Sequence, residues 1–347
     1  MPLNQTAVNQ VRERRISMGL TQATLAERAG ISRTAVTAIE GERLIPSVVS
    51  ALALAKLLHC TVEQLFSNNK DASNSEVWAW EPTGNSMRYW RAEVAGKTVM
   101  YPAISTPMVT PLPDEMGAGI STPSEETLVM ACCDPAAGLL ASQFATMTGM
   151  RLLVIPRSSR KAVEMLKNGL VHLAGLHLST EEEPDMNSQV IRESLGQGYA
   201  MMRVAKWQEG IAVSTIKKLR SARAAKKAKF TWIGREPGSG ARQCLDRLLD
   251  DRRVIRRIAQ HHRGVAEAVQ LGWADAGVCV QLVSAEAGLD FLPVQEEAYD
   301  VCYSRSLADD RRIKAFLRVI RSAAYRKILS ELPGYNCSET GTVWSAD

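Results

Sequence analysis

Apolar positions first recur at helical spacing in two short stretches that meet at Gly30. Before the glycine, Leu25 and Ala26 sit where a buried helix face needs apolar or small groups; after it, Ile31, Val36 and Ile39 repeat at the same period. Gly30 is the residue type that accepts positive φ in a tight turn, and Ser32 suits an N-cap for a helix opening at Arg33. This predicts a helix-turn-helix, whose second helix enters the DNA major groove. Upstream, Val8, Val11, Arg12 and Arg15 precede Met18-Gly19-Leu20, which fits a first helix closed by glycine. Downstream, a Pro46-Ser47 start and two apolar helices lead to Phe66.

The polar run Ser67–Ser75 reads as a linker, giving a helical domain over 1–67 and a linker over 68–75. Residues 76–125 hold Trp78, Trp80, Trp90 and a run of prolines, with alternation at Trp78-Ala79-Trp80 and Thr98–Tyr101. They read as a connecting module whose tryptophans anchor packing on a neighbour or a second subunit. From Glu126 the period changes. Short apolar runs, Leu128–Cys133, Arg151–Pro156 and Val171–Leu178, alternate with helical stretches from Ala136 and Ser159. A second such unit runs through Phe230–Gly234, a helix from Ser239, another from Val265, and Ala274–Val280, with Arg311–Leu329 as a closing helix. Alternating apolar strands and helices predict parallel sheets covered on both faces. Lys206–Ser214 and Phe291–Val294 read as two crossings between lobes, placed at 126–208 with 292–347 and at 209–291. The predicted architecture is multidomain: an all-α helix-turn-helix domain followed by a hinged, two-lobed α/β domain.

Composition adds limits. At 347 residues and 46% hydrophobic content, two or three domains with substantial cores are expected. No run approaches the roughly 20 apolar residues of a membrane span, and no apolar signal core opens the chain, so a cytoplasmic location is expected. Seven cysteines without a Cys-x-x-Cys pair point to reduced thiols, not disulfides or a zinc site. The net charge of +5 identifies no partner by itself.

Residues 8–66 resemble the Xre family of phage-repressor-like DNA-binding domains through Arg12, Gly19-Leu20-Thr21-Gln22, Leu25-Ala26, Gly30-Ile31-Ser32, Ile39-Glu40-Gly41, Pro46-Ser47, Leu54-Ala55 and Leu65-Phe66. A helical bundle without DNA contacts is the plainer alternative. On the DNA reading, Ser32, Arg33, Thr34 and Thr37 reach base edges, with Arg33 able to pair guanine in bidentate fashion. The resemblance implies that Gln22 anchors to a phosphate, and Arg43 also reaches phosphate. With seven Lys/Arg against five Glu, one copy should bind weakly, so a homodimer on a two-fold operator is expected.

Residues 128–343 resemble the periplasmic-binding-protein-like (type II) domains of bacterial regulators, whose relatives bind molybdate. The resembling stretches are Cys133–Ala136, Arg157–Ser159, Leu173–Leu178, Gly234–Arg242, Trp273–Gly277 and Leu332–Tyr335. Independently of that likeness, helices are expected to begin at Asp134, at Ser158-Ser159 and at Gly238-Ser239-Gly240. Converging helix N-termini make an anion site, with hydroxyls from Ser159 and Ser239 and charge from Arg242. The Gly-Ser-Gly also suits an ordinary turn before a helix. His177 is placed at the end of a strand on the cleft edge, as a ligand contact or a structural histidine, and Asp275 completes the expected ligand set. A tyrosine that related molybdate binders carry after the Asp-Ala-Gly strand is replaced by Val278-Cys279-Val280; Tyr299 or Tyr303 substitutes only if the crossing brings it to the cleft.

His261-His262 reads as a solvated loop, Cys132-Cys133 as a buried strand end, and the basic run Lys217–Lys229 as an exposed helix. No catalytic set, cofactor or metal is expected. The sequence therefore predicts a transcription regulator that senses a small, anionic effector, without membrane association. The rivals are an oxyanion storage protein and an enzyme built on the same clamp.

Overall fold

The computed structural model describes residues 10–58, 60, 62–66, 76–82, 89–102, 123–250 and 254–347. Val8, the linker 68–75 and 103–122 of the connecting module lie outside them. The chain forms two compact units, 1–76 and 77–347.

In the first unit, helices α1 (Val11–Ser17), α2 (Gln22–Ala29), α3 (Arg33–Glu40), α4 (Val48–Leu57) and α5 (Val62–Phe66) enclose a core of Val11, Leu25, Val36, Ile39, Leu54 and Leu65. Side-chain caps define three of the helix starts. Thr21, Ser32 and Ser47 accept hydrogen bonds from the backbone N–H of Thr24, Ala35 and Ser50, satisfying donors that a helix start leaves free. Gly30 sits at φ 66°, the left-handed turn that a side chain disfavours. Arg15 bridges to Glu40 at 2.6 Å, pinning α1 to the end of α3.

The second unit opens with β1 (Glu76–Trp78), β2 (Tyr89–Val94) and β3 (Lys97–Pro102), a small sheet in the order β1-β3-β2. Trp90, Val94, Val99 and Tyr101 from this sheet share one core with Val129, Ile155, Val163 and Leu176. The connecting module is thus built into the α/β unit. Trp90 is buried, as expected of an anchor, whereas Trp78 stays partly exposed.

The α/β unit carries a ten-stranded sheet. Strands β4 (Thr127–Cys132), β5 (Arg151–Pro156) and β6 (Leu173–Thr180) run parallel in the order β5-β4-β6, with α6 (Ala137–Thr148), α7 (Ser159–Lys167) and α8 (Met186–Leu195) between and after them. The other lobe repeats the scheme with α9 (Ala222–Lys227), β8 (Trp232–Arg235), α10 (Gly240–Leu248), β9 (Arg257–Ala259), α11 (His262–Gln270), β10 (Ala276–Val280) and α12 (Gln281–Glu286). Two 15-residue strands, β7 (Tyr199–Val213) and β11 (Asp290–Ser304), pair antiparallel and run through both lobes. Both crossings are much longer than their apolar runs indicated, because the sheet is continuous through the hinge. The chain ends with α13 (Arg311–Ile320), α14 (Ala323–Ser330), β12 (Tyr335–Asn336) and β13 (Val343–Ser345). The single closing helix expected over 311–329 is therefore two, interrupted where Ser322 caps α14 by accepting from the Tyr325 N–H.

Candidate functional site

On the DNA side, Ser32, Arg33, Thr34, Thr37 and Arg43 are exposed, opposite buried Val36 and Ile39. Gln22 is already engaged: its amide donates to Glu40 at 2.9 Å, and its oxygen accepts from Thr37 at 3.3 Å. It ties the start of α2 to the outer face of α3.

In the α/β unit, parallel strands deliver their C-terminal ends to the junction between lobes, and the buried polar groups gather there. Asp134 follows β4 but does not cap α6, which begins at Ala137 beyond the Pro135 turn. Its Oδ1 instead accepts from the Ala136 N–H at 2.8 Å and the Tyr335 hydroxyl at 2.6 Å, while Oδ2 is buried without a partner. Burial raises its pKa. Ser158 precedes α7, and Ser159 begins it; the Ser159 hydroxyl accepts from the His177 N–H at 3.3 Å. Ser239 caps α10, accepting from the Arg242 N–H and donating to the Glu236 carbonyl. The Ser239 hydroxyl proton is therefore spent on the protein's own backbone, whereas the Ser159 hydroxyl is engaged as an acceptor. Gly238 adopts φ 86° beside Arg160, and Arg242 is turned to Asp246 at 2.8 Å.

His177 lies within β6, not at its end, and is fully buried. Nδ1 bonds Glu297 at 2.6 Å, and Nε2 lies 2.9 Å from the Cys133 sulfur. Gly240 packs directly on this histidine: a Cβ there would stand 2.6 Å from His177 Nδ1 and from its carbonyl oxygen. The Glu297 carboxylate also accepts from Trp207 Nε1 at 3.2 Å and Gln295 Nε2 at 2.6 Å. Burial alone would lower the His177 pKa, but Cys133 and Glu297 beside it push it well above its ordinary value. Glu209 faces Glu297; burial and then that neighbouring charge drive its pKa far up.

Sequence reasoning left His262, Glu209 and Glu297 out of this group. His262 was expected in a solvated loop, yet it opens α11 and is fully buried, with both ring nitrogens unpartnered and its ring 5.5 Å from that of His177. Burial and then nearby Arg235 pull its pKa well below the ordinary value. Only the exposed His261 behaves locally, capping α11 by accepting from the Gly264 N–H. Arg235 is buried at the end of β8, pairs with Glu236 at 3.0 Å, and has Nη1 free of any partner. Glu297 gave no signal in the sequence, since it lies beyond the Phe291–Val294 run read as a crossing and enters only with the full length of β11. Asp275 corrects in the other direction. It stands at the N-terminal end of β10, whose opposite end pairs Val280 with Glu209, and it bonds Lys217 at 2.7 Å. It belongs to the far side of its lobe. Tyr299 stacks on Trp207 at 4.7 Å, and Tyr303 lies further along β11.

Comparison with known proteins finds matches for both parts of the chain. A family model described as a PBP superfamily domain matches residues 141–321, and a helix-turn-helix model matches 11–65. The chain belongs to the PBP superfamily domain family and carries an Xre-type helix-turn-helix domain at its N-terminus. An uncharacterized HTH-type transcriptional regulator of Methanothermobacter thermautotrophicus is 38% identical over 64 residues, 18% of this chain and 93% of that protein. The uncharacterized protein YvgK of Bacillus subtilis is 29% identical over 185 residues, which is 50% of this chain; the match spans only 59% of YvgK. Among solved structures, PhnD1 from Prochlorococcus marinus in complex with methylphosphonate superposes with TM-score 0.44 at 14% identity, covering 62% of this chain and 93% of that one. The first unit thus carries a helix-turn-helix domain, the type that binds DNA, and the second a domain of the PBP superfamily. No helix among the described residues is long and apolar enough to cross a membrane.

Proposed function

We propose that this regulator is a cytoplasmic homodimer whose operator affinity is set by a small anion gripped between the lobes. The observation that carries the reading is the set of buried groups at the lobe junction with unspent hydrogen-bonding capacity. Asp134 Oδ2, Arg235 Nη1 and both nitrogens of His262 come from both lobes and have no partner among the described residues. Burying such groups without partners costs free energy, and a bound molecule relieves it. Arg235 Nη1 supports an anion, helped by the N-terminal turns of α7 and α10. An oxyanion such as molybdate is the narrower form of this proposal. A bound effector favours the closed clamp only by its differential affinity for the two states.

The homodimer is supported by an apolar row on the first unit. Ile45, Val48 and Val49 are 76%, 76% and 78% exposed, with Leu44 and Leu52 beside them. An exposed patch of this kind marks an interaction surface, and sedimentation of the full chain should give a dimer that Val49→Asp dissociates.

The reading is tested by selecting an operator with the full chain, then titrating molybdate, tungstate, sulfate and phosphate into the complex. A shift in operator affinity with one of these anions, lost in Arg235→Gln, is the expected result; indifference to all of them, with no thermal shift, removes the anion proposal. On the DNA side, Arg33→Ala should cost about 1–3 kcal/mol at one base pair and relax its identity. Gln22→Ala should weaken all sequences alike, because it removes the brace between α2 and α3. Operator discrimination that survives in an Arg33→Ala, Thr37→Ala double variant places the reading face elsewhere.

A further inference from the structure

We infer that the cleft also holds a transition-metal ion, bound by Cys133, His177 and His262. The inference rests on the cleft being the sensor site and adds a cation to it. One ligand atom from each residue lies within 4.8 Å of the others, and all three side chains are buried. The Cys133 sulfur already approaches His177 Nε2 at 2.9 Å. His262 supplies the independent sign of a missing partner: it is 1% exposed, and neither ring nitrogen has a hydrogen bond. A buried imidazole bonded to nothing is costly, and a metal bond is what its lone pair offers.

The surroundings fit the same chemistry. A metal-binding histidine commonly bonds a carboxylate through its other nitrogen, which fixes the ring and raises its basicity. His177 does this through Nδ1 to Glu297, itself held by Trp207 and Gln295. One thiolate and two imidazoles select a borderline-soft ion of the zinc or cobalt type over magnesium or calcium, which take oxygen ligands. Three protein ligands leave a coordination position for water or the effector. The other buried cluster, His177 with Glu209 and Glu297, makes a poorer site, because His177 Nδ1 and Glu297 already satisfy one another. Cys133, His177 and His262 lie on β4–α6, β6 and α11, so such an ion ties the two lobes together.

The test uses the full chain, stripped with a chelator and titrated with Co²⁺ and Zn²⁺. One equivalent of Co²⁺ should give a thiolate-to-cobalt charge-transfer band in the near ultraviolet, displaced by Zn²⁺. Cys133→Ser should abolish that band while Cys60→Ser keeps it, and His262→Gln should weaken affinity at least about tenfold. Glu297→Gln should weaken affinity about 10–100-fold, the usual effect of removing an outer-shell partner. As a measure that needs no variant, Zn²⁺ should protect Cys133 from alkylation in the wild-type chain, read by mass spectrometry. Absence of the band, its survival in Cys133→Ser, or equal alkylation with and without Zn²⁺ overturns the site. Operator binding is scored separately: a cobalt band in a chain that binds no operator overturns the regulatory reading and upholds the metal site.

Discussion

Replacing Gly240 by valine should hold the two lobes apart. A Cβ at this position stands 2.6 Å from both the carbonyl oxygen and the ring of His177, so even alanine forces a backbone shift. Overpacking of this kind costs about 1–3 kcal/mol, and valine adds two further methyl groups to a contact without spare room. The melting temperature should fall in both variants, more in valine. The thiol of Cys133, only 9% exposed in the closed arrangement, should become alkylated markedly faster. Because α10 starts correctly only if Ser239 still accepts from the Arg242 N–H, unchanged far-ultraviolet circular dichroism separates lobe opening from helix loss. Wild-type alkylation of Cys133 in Gly240→Val would mean that the lobes do not close on His177.

The second large effect concerns acid. His172 is buried between lobe one and the small N-terminal sheet of its unit: Nδ1 accepts from the Val129 N–H at 3.0 Å, and Nε2 donates to the Glu93 carbonyl at 2.7 Å. Only the neutral ring satisfies both partners, since a proton on Nδ1 would face the Val129 N–H. Burial, then the Arg312 guanidinium, pull its pKa from 6.5 to about 3, with the Glu93 carbonyl and Asp310 opposing. A depressed pKa means that the unfolded chain takes the proton first. The contribution is therefore complete above about pH 6.5 and is lost as pH falls toward 3, at about 1.4 kcal/mol per unit. Urea titrations from pH 7.5 to 4 should show this loss, which His172→Gln should flatten. At pH 7.5 that variant should be less stable by about 1–3 kcal/mol, because a buried backbone group loses its partner. A wild-type slope retained in His172→Gln would assign the acid sensitivity to other groups.

Legibility followed the range of the interactions involved. The helix-turn-helix could be read because its determinants are local. Ser32 caps the helix it precedes, Gly30 turns within its own φ, and Val36 with Ile39 mark one face of one helix. The alternation of β4, β5 and β6 with their helices was visible for the same reason, since strands buried on both faces are apolar throughout. Where two local rules competed, the reading slipped. Asp134 and Pro135 look like a helix start, but Tyr335 from the end of the chain takes the carboxylate, and the helix begins later.

The sequence by itself determined the helix-turn-helix at the start of the chain and the clamp built from strand–helix repeats that follows it. Tertiary structure alone decided what the clamp contains. His177 meets Glu297 across 120 residues, and Cys133 across 44, through strands that become neighbours only when β6, β11 and β4 assemble. His262 shows the limit most clearly: beside His261 it looked solvent-exposed, because a histidine pair has no periodicity that reveals burial. Packing of α11 against the sheet turned one ring outward as a cap and the other inward toward Cys133 and His177. Asp275 failed for the converse reason, since a strand has two ends and only the fold fixes which one faces the cleft. Helix caps and apolar periods are encoded within a few residues, whereas a buried polar cluster is encoded by which strand ends the assembled sheet brings together.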